Sequence, residues 1–285
     1  MVAAVYLLTV LASVAQSASS KLFHRHSANS AIFNALKACT ALLFFSALAA
    51  FGFTFHLPTL LFGLFYGVSL CISMYTGYRA LCLGPMALTG MLVSFSVVIP
   101  LLWGITVGRE TPTPLQYFAF SLLLVALVLT NADQIKAGQA RQKDYGLWLF
   151  FVCVTFLANG VCSVLQAQHQ ALYPEAYSRE FMLFAMLLSS VVFVCAALVK
   201  APLREFKAIK GKRYGVLSGV ANGTANLLTL VLAGMENASV LFPVISAGTV
   251  LVSLLCGRLF FGEMLRGNHY AALAAGIAAV VLMKL

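Results

Sequence analysis

Asn159, Ser163, Gln166 and Gln170 follow one another at intervals of four, three and four residues, the spacing that lines up side chains on one face of an α-helix. Ser218, Asn222, Asn226 and Thr229 repeat the pattern, as do Ser246, Thr249 and Ser253. Thinner stripes occur at Ser13, Ser17 and Ser20, and at Tyr66, Ser69, Ser73 and Thr76. Amides and hydroxyls of this kind hold a ligand through neutral hydrogen bonds. The competing account is structural: small residues let helices approach, Ser and Thr bond their own backbone, and Asn and Gln tie helices together.

Lys37 is the sharpest single feature, set in Ala35, Leu36, Lys37, Ala38, Cys39 with no acidic residue within a helical turn. In hydrocarbon an isolated ammonium must reach the interface, shed its proton or meet an anion. Arg79, Tyr75 and Tyr78 lie near the end of their apolar run, where snorkelling and an interfacial aromatic belt are the plainer readings. Pro100 and Pro243 remove backbone bonds and free carbonyls for a ligand or for bending. Glu110 and Glu263 close apolar segments as caps, gates or partners across a bundle. The candidate substrate-binding residues are therefore Lys37, Tyr66, Ser73, Tyr75, Arg79, Asn159, Gln166, Asn222, Asn226, Ser246 and Thr249. Pro100, Pro243, Glu110 and Glu263 are candidate gating or structural residues.

Catalysis is not expected. Both aspartates, Asp133 and Asp144, fall in a polar segment between apolar runs, which excludes an intramembrane aspartyl protease. No Ser and His pairing reads as nucleophile and base, and no His and carboxylate cluster suits a metal. The seven cysteines stand singly in apolar stretches, so neither a cofactor nor a metal is expected.

The elements that must position these side chains follow from composition. The 285 residues are 61% hydrophobic and 9% charged, with a mean hydropathy of +0.95, far from a water-soluble domain. The remaining solvent is lipid, where helices satisfy their own backbone. Cutting at charges, Pro and Gly predicts ten spans, at about 2–20, 29–51, 58–82, 86–108, 115–132, 145–169, 180–199, 214–234, 238–260 and 268–284. The first has no Lys or Arg before its apolar stretch and reads as a membrane helix, not a signal peptide. The net charge of +10 sits in short segments between spans, which indicates topology and anionic headgroups and not nucleic acid. Expected partners are a small-molecule substrate and membrane lipid, with the chain a monomer or homodimer.

A single offset places Ser69 on Asn222, Ser73 on Asn226, Thr76 on Thr229, Ser96 on Thr249, Gly104 on Gly257, Glu110 on Glu263 and Tyr117 on Tyr270. A second offset pairs Ser13 with Asn159 and Ser17 with Ser163. The expected architecture is an all-α integral membrane protein of ten transmembrane helices. It divides into a first five-helix repeat at 1–132, a polar linker at 133–144 and a second repeat at 145–285. Five is odd, so the second copy enters the membrane in the opposite sense, an inverted repeat. Twelve Lys and Arg fall in the odd-numbered loops and three on the other side, which places both termini outside the cytoplasm by the positive-inside rule.

The stretch Leu241 to Glu263, with Pro243, Ser253, Gly257 and the closing Phe260, Phe261, Gly262, Glu263, resembles the ten-helix EamA-like branch of the drug/metabolite transporter superfamily. Gly104, Gly108, Arg109 and Glu110 form a fainter echo at the end of the first half. The resemblance implies a multi-pass transporter or facilitator in a bacterial-type plasma membrane, with a central cavity between its repeats. Small multidrug-resistance relatives carry a membrane-embedded Glu in their first helix. Residues 1–109 of this chain contain no acidic residue, which departs from that proton-coupled pattern. The expected cargo is a small zwitterionic or anionic metabolite. A lipophilic cation held by aromatic rings is the alternative, and a non-transporting membrane scaffold is the alternative of another class.

Overall fold

A backbone in hydrocarbon has no water to bond, and helices, which satisfy their own backbone, make up nearly all of the described residues. The computed structural model describes residues 2–24, 29–83, 89, 92–137, 145–174, 176–200, 211–261 and 267–284, and among them there is no strand. Ten α-helices are present among the described residues: α1 Val2–His24, α2 Ser30–Ala49, α3 Leu57–Leu83, α4 Val98–Thr106, α5 Pro114–Ala137, α6 Tyr145–Leu172, α7 Ser178–Lys200, α8 Lys212–Ala233, α9 Ala238–Phe261 and α10 Gly267–Lys284. Each falls on one predicted span. Seven of them, α1, α2, α3, α6, α7, α8 and α9, are long and apolar enough to cross a membrane. The apolar segments Leu92–Thr106, Pro114–Leu129 and Gly267–Met283 are shorter. The chain is thus all-α among its described residues, with the several long apolar helices of a multi-pass membrane protein.

Local chemistry sets the helix ends. Asn29 begins α2 by accepting the Ile32 N–H on its side-chain oxygen at 3.3 Å. Thr113 and Gln116 form a reciprocal capping box before α5: the Thr113 N–H donates to Gln116 Oε1 at 3.0 Å, and the Gln116 N–H donates to Thr113 Oγ1 at 3.3 Å. Two boundaries differ from the sequence reading. α5 runs on to Ala137, past the Asp133 at which the polar linker was expected to begin, because Asp-Gln-Ile-Lys-Ala is compatible with helix once it has left the apolar stretch. The fourth span tightens into a 3-10 turn at Phe95–Val97 just before Pro100. Proline leaves the Ser96 carbonyl without its usual donor, and the Val98 N–H points at that carbonyl and at Phe95 instead.

The chain forms two compact units, each drawing on both halves of the sequence: Met1–Cys71 with Gln168–Gly234, and Ile72–Ala167 with Met235–Leu285. In the first unit α1 packs on α8, α8 on α2, and α2 on α7. Its rings include the tilted Phe23 and Phe33 pair, 4.9 Å between centroids. The amino-terminal part of α3 lies close against α7, where a Cβ on Gly63 would meet the Phe181 carbonyl at 2.7 Å. In the second unit α5 packs on α10, α10 on α9, and α9 on α4. The carboxyl-terminal part of α3 there bonds α6, and Ala80, Trp148 and Val152 form a buried cluster with Leu83, Leu92 and Phe151.

Candidate functional site

The first unit gathers four of the candidate residues. Lys37, on α2, is only 8% exposed, and no hydrogen bond or ion pair holds its ammonium among the described residues. Its backbone carbonyl lies against α8, where a Cβ on Gly219 would approach it to 2.7 Å. Along α8 the Thr229 hydroxyl donates to the Ala225 carbonyl of its own helix, while Ser218, Asn222 and Asn226 bond neighbouring helices. Tyr66 of α3 donates its hydroxyl to Asn226 Oδ1 at 2.9 Å, and Asn226 Nδ2 donates to the Asn222 carbonyl at 2.9 Å. Asn222 Nδ2 donates to Gln16 Oε1 of α1 at 3.3 Å, and the buried Ser218 hydroxyl bonds the Gln16 carbonyl at 3.5 Å.

Gln16 was missed by the sequence reading, although it lies three residues after Ser13 and four before Ser20. The stripe there was read from its serines. Ser13 and Ser17 in fact donate to the carbonyls of Thr9 and Ser13, the local bonding that hydroxyls in apolar helices commonly make.

A second group missed as a unit closes the same end of α3 and α6. His56 Nδ1 is 2.9 Å from Thr59 Oγ1, and Thr59 Oγ1 is 3.0 Å from His169 Nε2. Gln170 Nε2 is 3.1 Å from His169 Nδ1 and donates to Ser178 Oγ at 2.9 Å. Thr59 and His169 are fully buried. The signal in the sequence was weak, because His56 precedes one helix and His169 ends another, 113 positions later.

The second unit holds the other described candidates. Ser73 donates to Asn159 Oδ1 at 2.8 Å, joining α3 to α6, and Thr76 and Thr155 share a bond of 2.8 Å one turn on. Gln166 is buried and Asn159 half-buried. Tyr75 is 54% exposed, and the exposed Arg79 lies over the Phe151 ring at 5.7 Å. Ser246 and Thr249 are half-buried on α9, Pro243 lies inside that helix, and Pro100 is buried on α4. Glu110 reaches the start of α9, where Oε1 accepts the Ala238 N–H and Oε2 the Ser239 N–H, both at 2.8 Å. Glu263 lies outside the described residues. Among the described residues no three His, Cys, Asp or Glu side chains are grouped as a metal ion would require.

These side chains are hydrogen-bond donors and acceptors with one buried cation, a set suited to binding a polar ligand. No protein-family model matches the chain, and no curated protein matches it. A solved crystal structure of a protein superimposes with a TM-score of 0.81, covering 99% of this chain and 95% of that one at 14% identity. At that identity the likeness is one of fold.

Proposed function

We propose that this chain is a secondary transporter or facilitator for a small polar metabolite bearing an anionic or zwitterionic group, such as an amino acid or another carboxylate. It works by alternating access within the EamA-like branch of the drug/metabolite transporters. The observation that carries this reading is Lys37, buried in a helix long enough to span a membrane and without a carboxylate partner among the described residues. A desolvated ammonium is costly, and a carboxylate ligand offsets that cost on arrival. Gln16, Tyr66, Asn222 and Asn226 in the same unit supply neutral donors and acceptors for the rest of such a molecule.

Much of the helix pairing is consistent with a twofold repeat. Adding five to each helix number leaves α2 with α7, α4 with α9 and α5 with α10 unchanged. It also turns the α1 and α8 pair into α6 and α3, and the α8 and α2 pair into α3 and α7. On this reading all ten helices cross a bacterial-type plasma membrane, with both termini outside as the basic residues indicate.

The test is thermal stability of the purified protein with matched anionic, zwitterionic and cationic metabolites, on the parent chain, Lys37→Ala and Lys37→Arg. A bound ligand stabilises by mass action, about 2.7 kcal/mol at a hundredfold excess over Kd. Carboxylates stabilise the parent and Lys37→Arg but not Lys37→Ala. Stabilisation by lipophilic cations alone, equal in all three, overturns the reading in favour of an aromatic-lined drug exporter.

The bonds from Tyr66 to Asn226, from Asn222 to Gln16 and from Ser73 to Asn159 favour a second reading, in which amides only hold helices together in a non-transporting scaffold. Under it, the Asn222→Ala and Asn226→Ala double variant loses stability while its response to ligands is unchanged.

A further inference from the structure

We propose that His56, Thr59 and His169 form a proton relay, in which a proton enters at half-buried His56 and is stored on buried His169 between Thr59 and Gln170. This deepens the transport reading by naming the proton as the coupling ion, a role for which the sequence offered no mid-membrane carboxylate.

The geometry is continuous. One hydroxyl, Thr59 Oγ1, lies within hydrogen-bond distance of both imidazoles, at 2.9 Å from His56 Nδ1 and 3.0 Å from His169 Nε2. A hydroxyl donates once and still accepts, so it can stand between two rings in either direction. With the charge on His56, its Nδ1–H donates to Thr59 and the Thr59 O–H donates to His169 Nε2. In the transfer, the His56 N–H bond breaks as an O–H bond forms at Thr59. The original Thr59 O–H breaks as an N–H bond forms at His169 Nε2. Only a proton changes place, and both partners of the hydroxyl remain bonded when the transfer is complete.

Before and after the transfer the ring carries a proton on Nδ1, and Gln170 faces that N–H. Its amide nitrogen lies 3.1 Å from that ring nitrogen and 2.9 Å from Ser178 Oγ, while its amide oxygen is buried with no hydrogen-bond partner among the described residues. Gln170 is 1% exposed, so water does not serve that oxygen freely. A half-turn of the amide, which exchanges two atoms of nearly equal size, sets the orphaned oxygen against Nδ1–H. The charged ring is then bonded at both nitrogens, and the amide nitrogen takes the buried position that the oxygen leaves.

Phe181, Tyr173 and Phe62 place their rings 4.7, 5.4 and 5.6 Å from that of His169 and exclude water from it, so the bonds to Thr59 and Gln170 must offset the cost of charging a buried ring. Tyr177 stacks on His56 at 4.5 Å with planes 7° apart, and it does so from the left-handed region at φ 55°, where a non-glycine residue is strained. The nearby charged side chains are engaged elsewhere. Glu180 of α7 accepts the Thr54 N–H, and Arg179 donates to the carbonyls of Leu48 and Gly52. Among the described residues Tyr173 and Tyr177 also face the pair, and it is Thr59 that joins His56 to His169.

The experiment is nitrogen NMR of the full chain, labelled at its five histidines and reconstituted in lipid nanodiscs, between about pH 4 and 9. His169 is assigned from its single Gln variant or, if that variant does not fold, by elimination from the other four. In the parent, His169 passes from one protonated ring nitrogen to two on acidification. Thr59→Val lowers its proton affinity about tenfold or more by removing the acceptor for Nε2–H, and Thr59→Ser restores it. A His169 that keeps a single tautomer throughout, or that titrates identically in Thr59→Val, overturns the relay. The titration needs no substrate, so it stands or falls separately from the ligand response at Lys37.

Discussion

Glu110 sets both carboxylate oxygens on the first N–H groups of α9, a bidentate contact at the positive end of a helix. The residues before it make room: a Cβ on Gly104 would come within 2.6 Å of Glu110 Oε2, and Arg109 turns the chain at φ 53°. The faint motif of Gly104, Gly108, Arg109 and Glu110 is therefore a built cap. Glu110→Ala lowers stability by about 1–2 kcal/mol, and Glu110→Gln, which keeps one acceptor, by less. Thermal unfolding in detergent measures this, and an unchanged midpoint in Glu110→Ala means the cap contributes nothing. For the bond from Ser73 to Asn159, a double-mutant cycle to Ala yields a coupling of about 0.6 kcal/mol, typical between membrane helices. A coupling of zero assigns Asn159 to ligand alone.

Between elements, contact is set by glycine. Gly215, Gly219 and Gly223 recur every fourth residue on α8 and face Leu36, Thr40 and Phe44 at the same interval on α2. A Cβ at Gly219 would lie 2.5 Å from Thr40 Cβ and 2.7 Å from the Lys37 carbonyl, with backbone on one side and a branched side chain on the other. Neither yields cheaply. Gly219→Ala therefore destabilises by about 1–3 kcal/mol and disturbs the seat of Lys37. Gly146→Ala, where a Cβ would meet nothing within 4 Å, is the matched control and is close to neutral. Equal melting of both variants would show that α2 and α8 adjust freely. Gly63 and Gly67, also four apart, lie against Phe181, Phe184, Ala185 and Leu188 of α7.

At the scale of the molecule, the number of crossings decides the topology, and its parity is measurable. Seven helices meet a length criterion for spanning, and three apolar segments are shorter. Ten crossings put the two termini on the same side of the membrane; seven put them on opposite sides. Reporters fused to each terminus, or site-directed labelling from one side, return termini on the same side, and on the outer face if the charge bias governs insertion. Termini on opposite sides would break the five-plus-five arrangement.

Much of the fold was legible because hydropathy is a local property: each helix lies on an apolar run, and the polar stripe of α8 emerged at the predicted spacing. Its bonds did not follow from that spacing. Periodicity says which face a side chain shares, and it is silent on what stands opposite. Asn222 was expected on a lining face, and only the packing of α1 on α8 gives it Gln16. Thr59 carries no signal in its spacing, and only the packing of α3 against α6 sets it between two histidines. The sequence by itself determined a helical chain of long apolar runs with a lysine set inside one of them, because hydropathy, charge and period are written residue by residue. The tertiary structure decided which distant segments share a compact unit, which amides are spent on one another and where an acceptor is left over. Those depend on contacts between segments distant in sequence, 86 positions for Ser73 and Asn159 and 206 for Asn222 and Gln16, fixed by side-chain shape and not by any local preference.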